Sequence, residues 1–258
     1  MKATLANTDR ATVFNVAHED GRSATAAFAS SLSASTSPVS SQAARVVAAV
    51  GSYNDRIAGN VARFQPDARS AANRKDAADI MASPVQALIE AGIAEGRAAA
   101  AAAANAAAVD PGNAALRVQV RDRFTAMDAA GQAAFAQRAS LEELAALMEA
   151  GRSYFEATPD PVWQIVEDQY VIKRHIVRSG LQAEFQRRPD LNDPLAFGAD
   201  EGAAMDAARQ SLNALRDRSG TVDEVRSAVQ SIIDVVAVAT DLSRDQAYRL
   251  LTTGKIAE

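Results

Sequence analysis

The sequence contains no cysteine. That excludes disulfides, thiolate metal sites and cysteine nucleophiles together. Histidine is nearly as scarce, with only His18 and His175, so a nucleophile–histidine pair or a histidine-rich metal centre has little to draw on. Aromatic residues make up 5% of the chain, and glycine (13) and proline (8) are sparse. Neither sign of charge dominates: 27 Lys and Arg stand against 32 Asp and Glu, a net charge of −5. That balance offers no global attraction to a phosphate backbone. No run of about 18 apolar residues occurs, so no membrane-spanning helix is predicted. The N-terminal stretch MKATLANTDRATVFNV lacks the apolar core of a signal peptide. The chain is therefore read as soluble and cytoplasmic at synthesis, and no cofactor or metal is implied.

What remains is a helix-forming alphabet. Hydrophobic residues are 48% of the 258 positions, and alanine supplies much of that share. Alanine, leucine, arginine, glutamate and glutamine lose little rotamer freedom in a helix. Small side chains also let helix axes approach closely. The fold class expected is all-α: a multi-helix bundle of about eight helices. The bundle is assigned to residues 42–258, with a candidate sub-boundary in the turn DPGN at 110–113.

Residues 1–41 differ from the rest. GRSATAAFASSLSASTSPVSSQ is a serine, alanine and threonine tract without an apolar period. It reads as an extended N-terminal arm, ordered only where it lies on a partner. ATVFNV, at 11–16, is compatible with a short strand or an extended contact. No alternating pattern elsewhere argues for a sheet.

Helical stripes follow. Val46, Val50, Tyr53, Ile57, Val61 and Phe64 predict a helix over about 42–64. Ser83, Pro84 and Gln86 predict a new helix start, and the alanine-rich run beyond it predicts helix to about Val109. Leu116, Val120, Phe124 and Met127 mark the next helix. Ser140 and Glu143 form a capping-box pattern ahead of Leu144, Leu147 and Met148. The stretch 160–188, opened by Asp160 and Pro161, carries apolar residues on two faces and is expected to be a central strut, roughly 40 Å long if unbroken. Ser219-Gly220 predicts a break after a helix at about 200–217. Thr221 and Glu224 predict a restart that carries Val222, Val225, Val229, Ile232 and Val236.

Catalytic patterns are not evident. His18 is flanked by Glu19 and Asp20, but adjacent residues do not converge on one ion without a scaffold. Glu142–Glu143 and Glu167–Asp168 are neighbours one residue apart and do not face each other on a helix. No nucleophile elbow, phosphate-binding loop or dinucleotide fingerprint occurs. The central helix does carry a cationic group, Lys173, Arg174, His175 and Arg178. These are the candidates for contact with an acidic partner or a phosphate. A helical active site would need a polar pocket around Tyr170, His175 and Arg178.

The C-terminal stretch IDVVAVATDLSRDQAYRLLTTGKI resembles the helix-turn-helix of excisionase-type and MerR-like DNA-binding proteins. A small residue at Ala237, a turn serine at Ser243, the YRL of 248–250 and the G-x-I of 254–256 carry the resemblance. It implies DNA contact by Ser243, Arg244, Gln246 and Arg249. The chain departs from that pattern at Asp241, where a turn glycine is usual. Its charges from Asp241 onward balance rather than favouring phosphate. Ser243 to Gln246 also fits a capping box, and Gly254 a helix terminator, so a simple terminal hairpin explains the same residues.

The function expected is non-catalytic. The chain reads as a structural or assembly protein working through helix packing and arm-mediated protein–protein contacts or self-association, such as a subunit or accessory component of a phage virion. The alternatives are a DNA-binding regulator using residues 232–256, and an enzyme with an unrecognised helical active site.

Overall fold

The computed structural model describes residues 1–34, 37–189, 191 and 193–255. The protein is mostly helical but not all-α. Its N-terminus is a three-stranded antiparallel sheet in the order β1-β2-β3, formed by Lys2–Asn7, Ala11–Ala17 and Ser23–Ala29. This corrects the extended arm; residues 35 and 36 of that arm lie outside the described residues. The register sets Leu5 opposite Phe14 and Phe14 opposite Ala26, with Thr12 opposite Phe28. One sheet face therefore carries Leu5, Phe14, Val16, Ala26 and Phe28, of which the last four are buried. The alternation is real, but alanine, serine and threonine fill most positions and mask the contrast between faces.

The α-helices are α1 (Ser30–Ala34), α2 (Pro38–Arg63), α3 (Pro66–Asp76), α4 (Ala82–Ala107), α5 (Ala114–Thr125), α6 (Ala129–Arg138), α7 (Leu141–Ala150), α8 (Asp160–Ser179), α9 (Leu181–Glu184), α10 (Glu201–Thr240) and α11 (Arg244–Thr253), with a π turn at Ala77–Met81 and a 3-10 turn at Arg152–Phe155. They fall into two compact units: residues 1–98 with 218–258, and residues 99–217. The turn at 110–113 lies inside the second unit.

In the first unit α2 starts earlier than its apolar stripe, because Ser37 caps it and Pro38 occupies the first turn. Its stripe of Val46, Val50, Tyr53 and Ile57 is fully buried, and Phe14 meets Tyr53 edge-on at 6.4 Å. The predicted start at Ser83 does not occur. Helix runs through it, preceded by a π turn at Ala77–Met81. Pro84 has no N–H to donate to Ile80, four residues back, and the widened turn absorbs that missing bond. The predicted break at Ser219-Gly220 is also absent, and α10 is continuous through it. Its apolar stripe continues to Val236, and an added Cβ at Gly92 would sit 2.9 Å from the Val225 side chain. Packing of this stripe outweighs the local restart signal, which costs only about 1 kcal/mol at a helical glycine.

A polar knot fastens the same unit. Asn73 is fully buried; its amide donates to the Ala239 carbonyl at 2.8 Å and its side-chain oxygen accepts from Asn60 at 2.9 Å. Asn60 also donates to Asp76 at 2.7 Å, and the Tyr53 hydroxyl donates to the Asn73 carbonyl at 3.3 Å. These bonds tie α2, α3 and the end of α10 together and give both the oxygen and the amide of the buried Asn73 side chain a partner, which is what polar groups at this depth require.

The second unit is built on α8. Phe124, Leu144, Leu147, Phe155, Trp163 and Val166 form its core, with the Phe155 and Trp163 rings stacked at 5.6 Å. The Ser140–Glu143 capping box is complete. α8 is shorter than the predicted strut: Gly180 adopts φ +68° and closes it after Ser179. Val177, one of the apolar residues of the 160–188 stretch expected to pack on two faces, is 59% exposed. Arg117 is 2% exposed and donates to Glu142, to Glu149 and to the Asp110 carbonyl, joining α5, α7 and the 110–113 turn.

Candidate functional site

α8 carries the cationic group expected from the sequence, and the structure divides it. Lys173 turns away and donates to the Ala139 carbonyl. Arg174 is buried; its Nη1 donates to the Asn105 and Ala106 carbonyls at the end of α4, and Asp110 approaches its Nη2 at 3.6 Å. A guanidinium on the last carbonyls of a helix satisfies groups that have no partner within it. The Arg174 Nε remains buried without a hydrogen-bond partner. His175 lies 3.4 Å from the Ser179 hydroxyl. Arg178 is exposed and makes no hydrogen bond or ion pair among the described residues.

Arg174, His175 and Arg178 share one side of α8, because residues three and four apart stack on a helix. They border a cleft of about 470 Å³ in the second unit. Asn105 of α4 and Ser211 of α10 add polar atoms, and Val171, Leu212 and Leu215 add apolar wall. No carboxylate lines it. Tyr170 does not join His175 and Arg178, since its hydroxyl donates to the Ala108 carbonyl at 2.7 Å. The α8 cations were legible in the sequence. Asn105, Ser211 and the cleft-facing role of Leu212 were not, because they reach the site from α4 and α10. Leu212 and Leu215 fall in the helix expected at about 200–217, where apolar residues read as ordinary core.

The C-terminal hairpin has α11 joined to α10 by the turn 241–243. Ser243 and Gln246 form a complete capping box, each side chain bonding the other's backbone N–H. Arg244 pairs with Asp234 at 2.9 Å, with both side chains about half exposed. The Arg249 side chain is exposed and makes no ion pair among the described residues. Asp241 holds φ +55°, which accounts for the glycine usual at such a turn: the backbone is left-handed there, and aspartate is among the few other residues that tolerate it. Gly254 closes α11 at φ +65°, while Ile256 lies outside the described residues.

His18, Glu19 and Asp20 sit in the β2–β3 turn, where each has a structural partner. Glu19 pairs with the N-terminal ammonium and with Arg69, and Asp20 with Arg22 and His18. No group of three or more His, Asp or Glu able to hold a metal ion occurs among the described residues.

One further surface stands out. The chain between α9 and α10 closes on itself: Gln186 bridges Ala199, Arg187 N–H donates to the Gly198 carbonyl, and Asp200 N–H donates to that of Phe185. Within this closed loop Leu191, Leu195 and Phe197 are 97%, 83% and 88% exposed.

No protein-family model matches the chain, and neither the curated proteins nor the solved structures contain a match to it.

Proposed function

We propose that the protein is a non-catalytic structural or assembly component that acts through protein–protein contacts, with the 186–199 loop as its contact element. The observation that carries this reading is the display of Leu191, Leu195 and Phe197 on a loop closed by backbone bonds. Single exposed apolar residues are ordinary, but three large ones on a closed loop cost solubility and are characteristic of association surfaces. The N-terminal segment is committed to its own sheet, so the contact role moves from the arm to this loop. Incorporation into a larger particle is the corresponding biological setting. The test is sedimentation of the full chain over a range of concentrations, alongside a variant carrying Leu191→Ser, Leu195→Ser and Phe197→Ser. Self-association is expected in the parent chain, and loss of it with an unchanged melting temperature in the variant. A parent chain that stays monomeric throughout removes the self-association reading.

A second reading, DNA binding by the C-terminal hairpin, is supported by its three-residue turn and by the exposed Arg244 and Arg249 on one helix. The capping box occupies Ser243 and Gln246, so base contact would fall to those two arginines. Binding to duplex DNA at low salt that Arg244→Ala and Arg249→Ala abolish is the expected signature; retention that survives both changes removes it.

A further inference from the structure

We propose that the cleft along α8 in the second unit is a binding site for a small organic anion, with a carboxylate or phosphate-ester head and an apolar body. Its volume, about 470 Å³, is in the range of small-molecule sites. Its charge is one-sided. Arg174, His175 and Arg178 border it without any carboxylate in the lining. The carboxylate nearest Arg174, that of Asp110, stands at 3.6 Å with its own side chain 79% exposed.

Arg174 is the decisive residue. Its side chain is 7% exposed, two α4 carbonyls anchor one end of the guanidinium, and the Nε has no partner. A buried cation matched by carbonyl dipoles, one largely solvated carboxylate at 3.6 Å and an Nε with no partner is incompletely compensated, and an anion beside it restores the balance. Arg178, four residues on and free of any partner among the described residues, supplies an accessible guanidinium on the same side. Leu212 and Leu215 of α10 line the same cleft. They offer nothing to a bare inorganic ion but shelter a hydrocarbon body of a few carbons. The cleft therefore offers cationic groups and apolar surface together, which suits a ligand carrying both a charged head and a short hydrocarbon body. This inference is independent of the loop-mediated association proposed above.

Titration calorimetry on the full chain tests it, with octanoate, octyl phosphate and octanol as probes. At least one of the two anions binds, and the tighter of them identifies the head group. Octanol, with the same tail and no charge, binds at least about tenfold more weakly, and Arg178→Ala weakens the anion at least about tenfold. Arg178 is exposed, so this variant keeps the parent melting temperature, which is checked in parallel. No binding of either anion up to about 10 mM overturns the proposal. So does octanol binding equal to that of the anions, or anion binding that Arg178→Ala leaves unchanged.

Discussion

Arg22, in the turn between β2 and β3, places its guanidinium 2.6 Å from the carboxylate of Asp241, in the turn between α10 and α11. Two residues 219 positions apart thus tie the N-terminal sheet to the C-terminal hairpin. The Arg22 hydrogen bond holds the Asp241 carboxyl below the usual aspartate range, despite a smaller opposing effect of burial. Asp20 is lowered by its bonds to Arg22, and Glu19 by its bond to the N-terminal ammonium. Depressed carboxyl groups contribute stability that is present above their unfolded values, about pH 4, and lost as pH falls through the folded ones. Asp241→Asn, which keeps a residue that tolerates the left-handed turn, is expected to lower the melting temperature at pH 7 and to have a progressively smaller effect as the pH falls below about 4 toward the lowered folded value. A pH series of thermal melts on both proteins checks this.

Arg117 gives an asymmetric expectation. It is 2% exposed, whereas Glu142 and Glu149 are each 46% exposed at the side chain. Removing both carboxylates by Glu142→Ala with Glu149→Ala strands a buried guanidinium and is expected to cost about 3–5 kcal/mol. Removing the guanidinium by Arg117→Met leaves carboxylates that water can reach, and is expected to cost about 1–3 kcal/mol. Urea denaturation of the two proteins measures the difference.

Gly112 belongs to the same network. A Cβ there would lie 2.2 Å from the Arg117 Nη2 and 2.3 Å from the Glu142 Oε1. Gly112→Ala is expected to displace the pair and destabilise by about 1–3 kcal/mol, close to the loss from Arg117→Met. Because both changes break one interaction, their combination is expected to cost clearly less than the sum, which a double-mutant cycle on urea curves reports.

Tyr53 governs the alkaline side. It is fully buried, and that burial, with a smaller push from Asp76, drives its hydroxyl pKa far above the usual tyrosine value. The folded state therefore resists losing this proton. The stability involved is intact below the unfolded value, about pH 10, and declines as pH rises beyond it. Tyr53→Phe is expected to cost about 0.5–1.5 kcal/mol at neutral pH, for the lost bond to the Asn73 carbonyl, and to flatten the decline above pH 10. Stability measured from pH 8 to 11.5 tests both parts.

The helical stripe of α2 could be read from residue spacing because Val46, Val50, Tyr53 and Ile57 bury one continuous face. In α5 Val120 and Phe124 are buried as expected, but Leu116 is exposed and the buried neighbour is Arg117, held there by its ion pairs. The capping boxes at Ser140 and Ser243 were also legible, since both helices do begin there. The equivalent patterns at Ser83 and Thr221 were misleading for one reason: a capping residue signals that a helix can start, and packing on either side decides whether it does. The π turn before Pro84 and the stripe through Val225 settle those cases in favour of continuation. Of the sheet, only β2 was legible, as the short strand that ATVFNV at 11–16 allows; β1 and β3 were masked because alanine, serine and threonine fill most of their positions, with Ala26 and Phe28 the only buried ones. At the cleft, the spacing of Arg174, His175 and Arg178 was visible. The use of Arg174 to close the end of α4 was not, because it depends on a segment 69 residues away.

Hydrogen exchange of the full chain at low and high protein concentration tests the central claim most directly. If the protein works by association through Leu191, Leu195 and Phe197, amides within 186–199 gain protection as concentration rises, while those of the α2 core do not change. Association that leaves this loop as open as in the dilute protein contradicts the account.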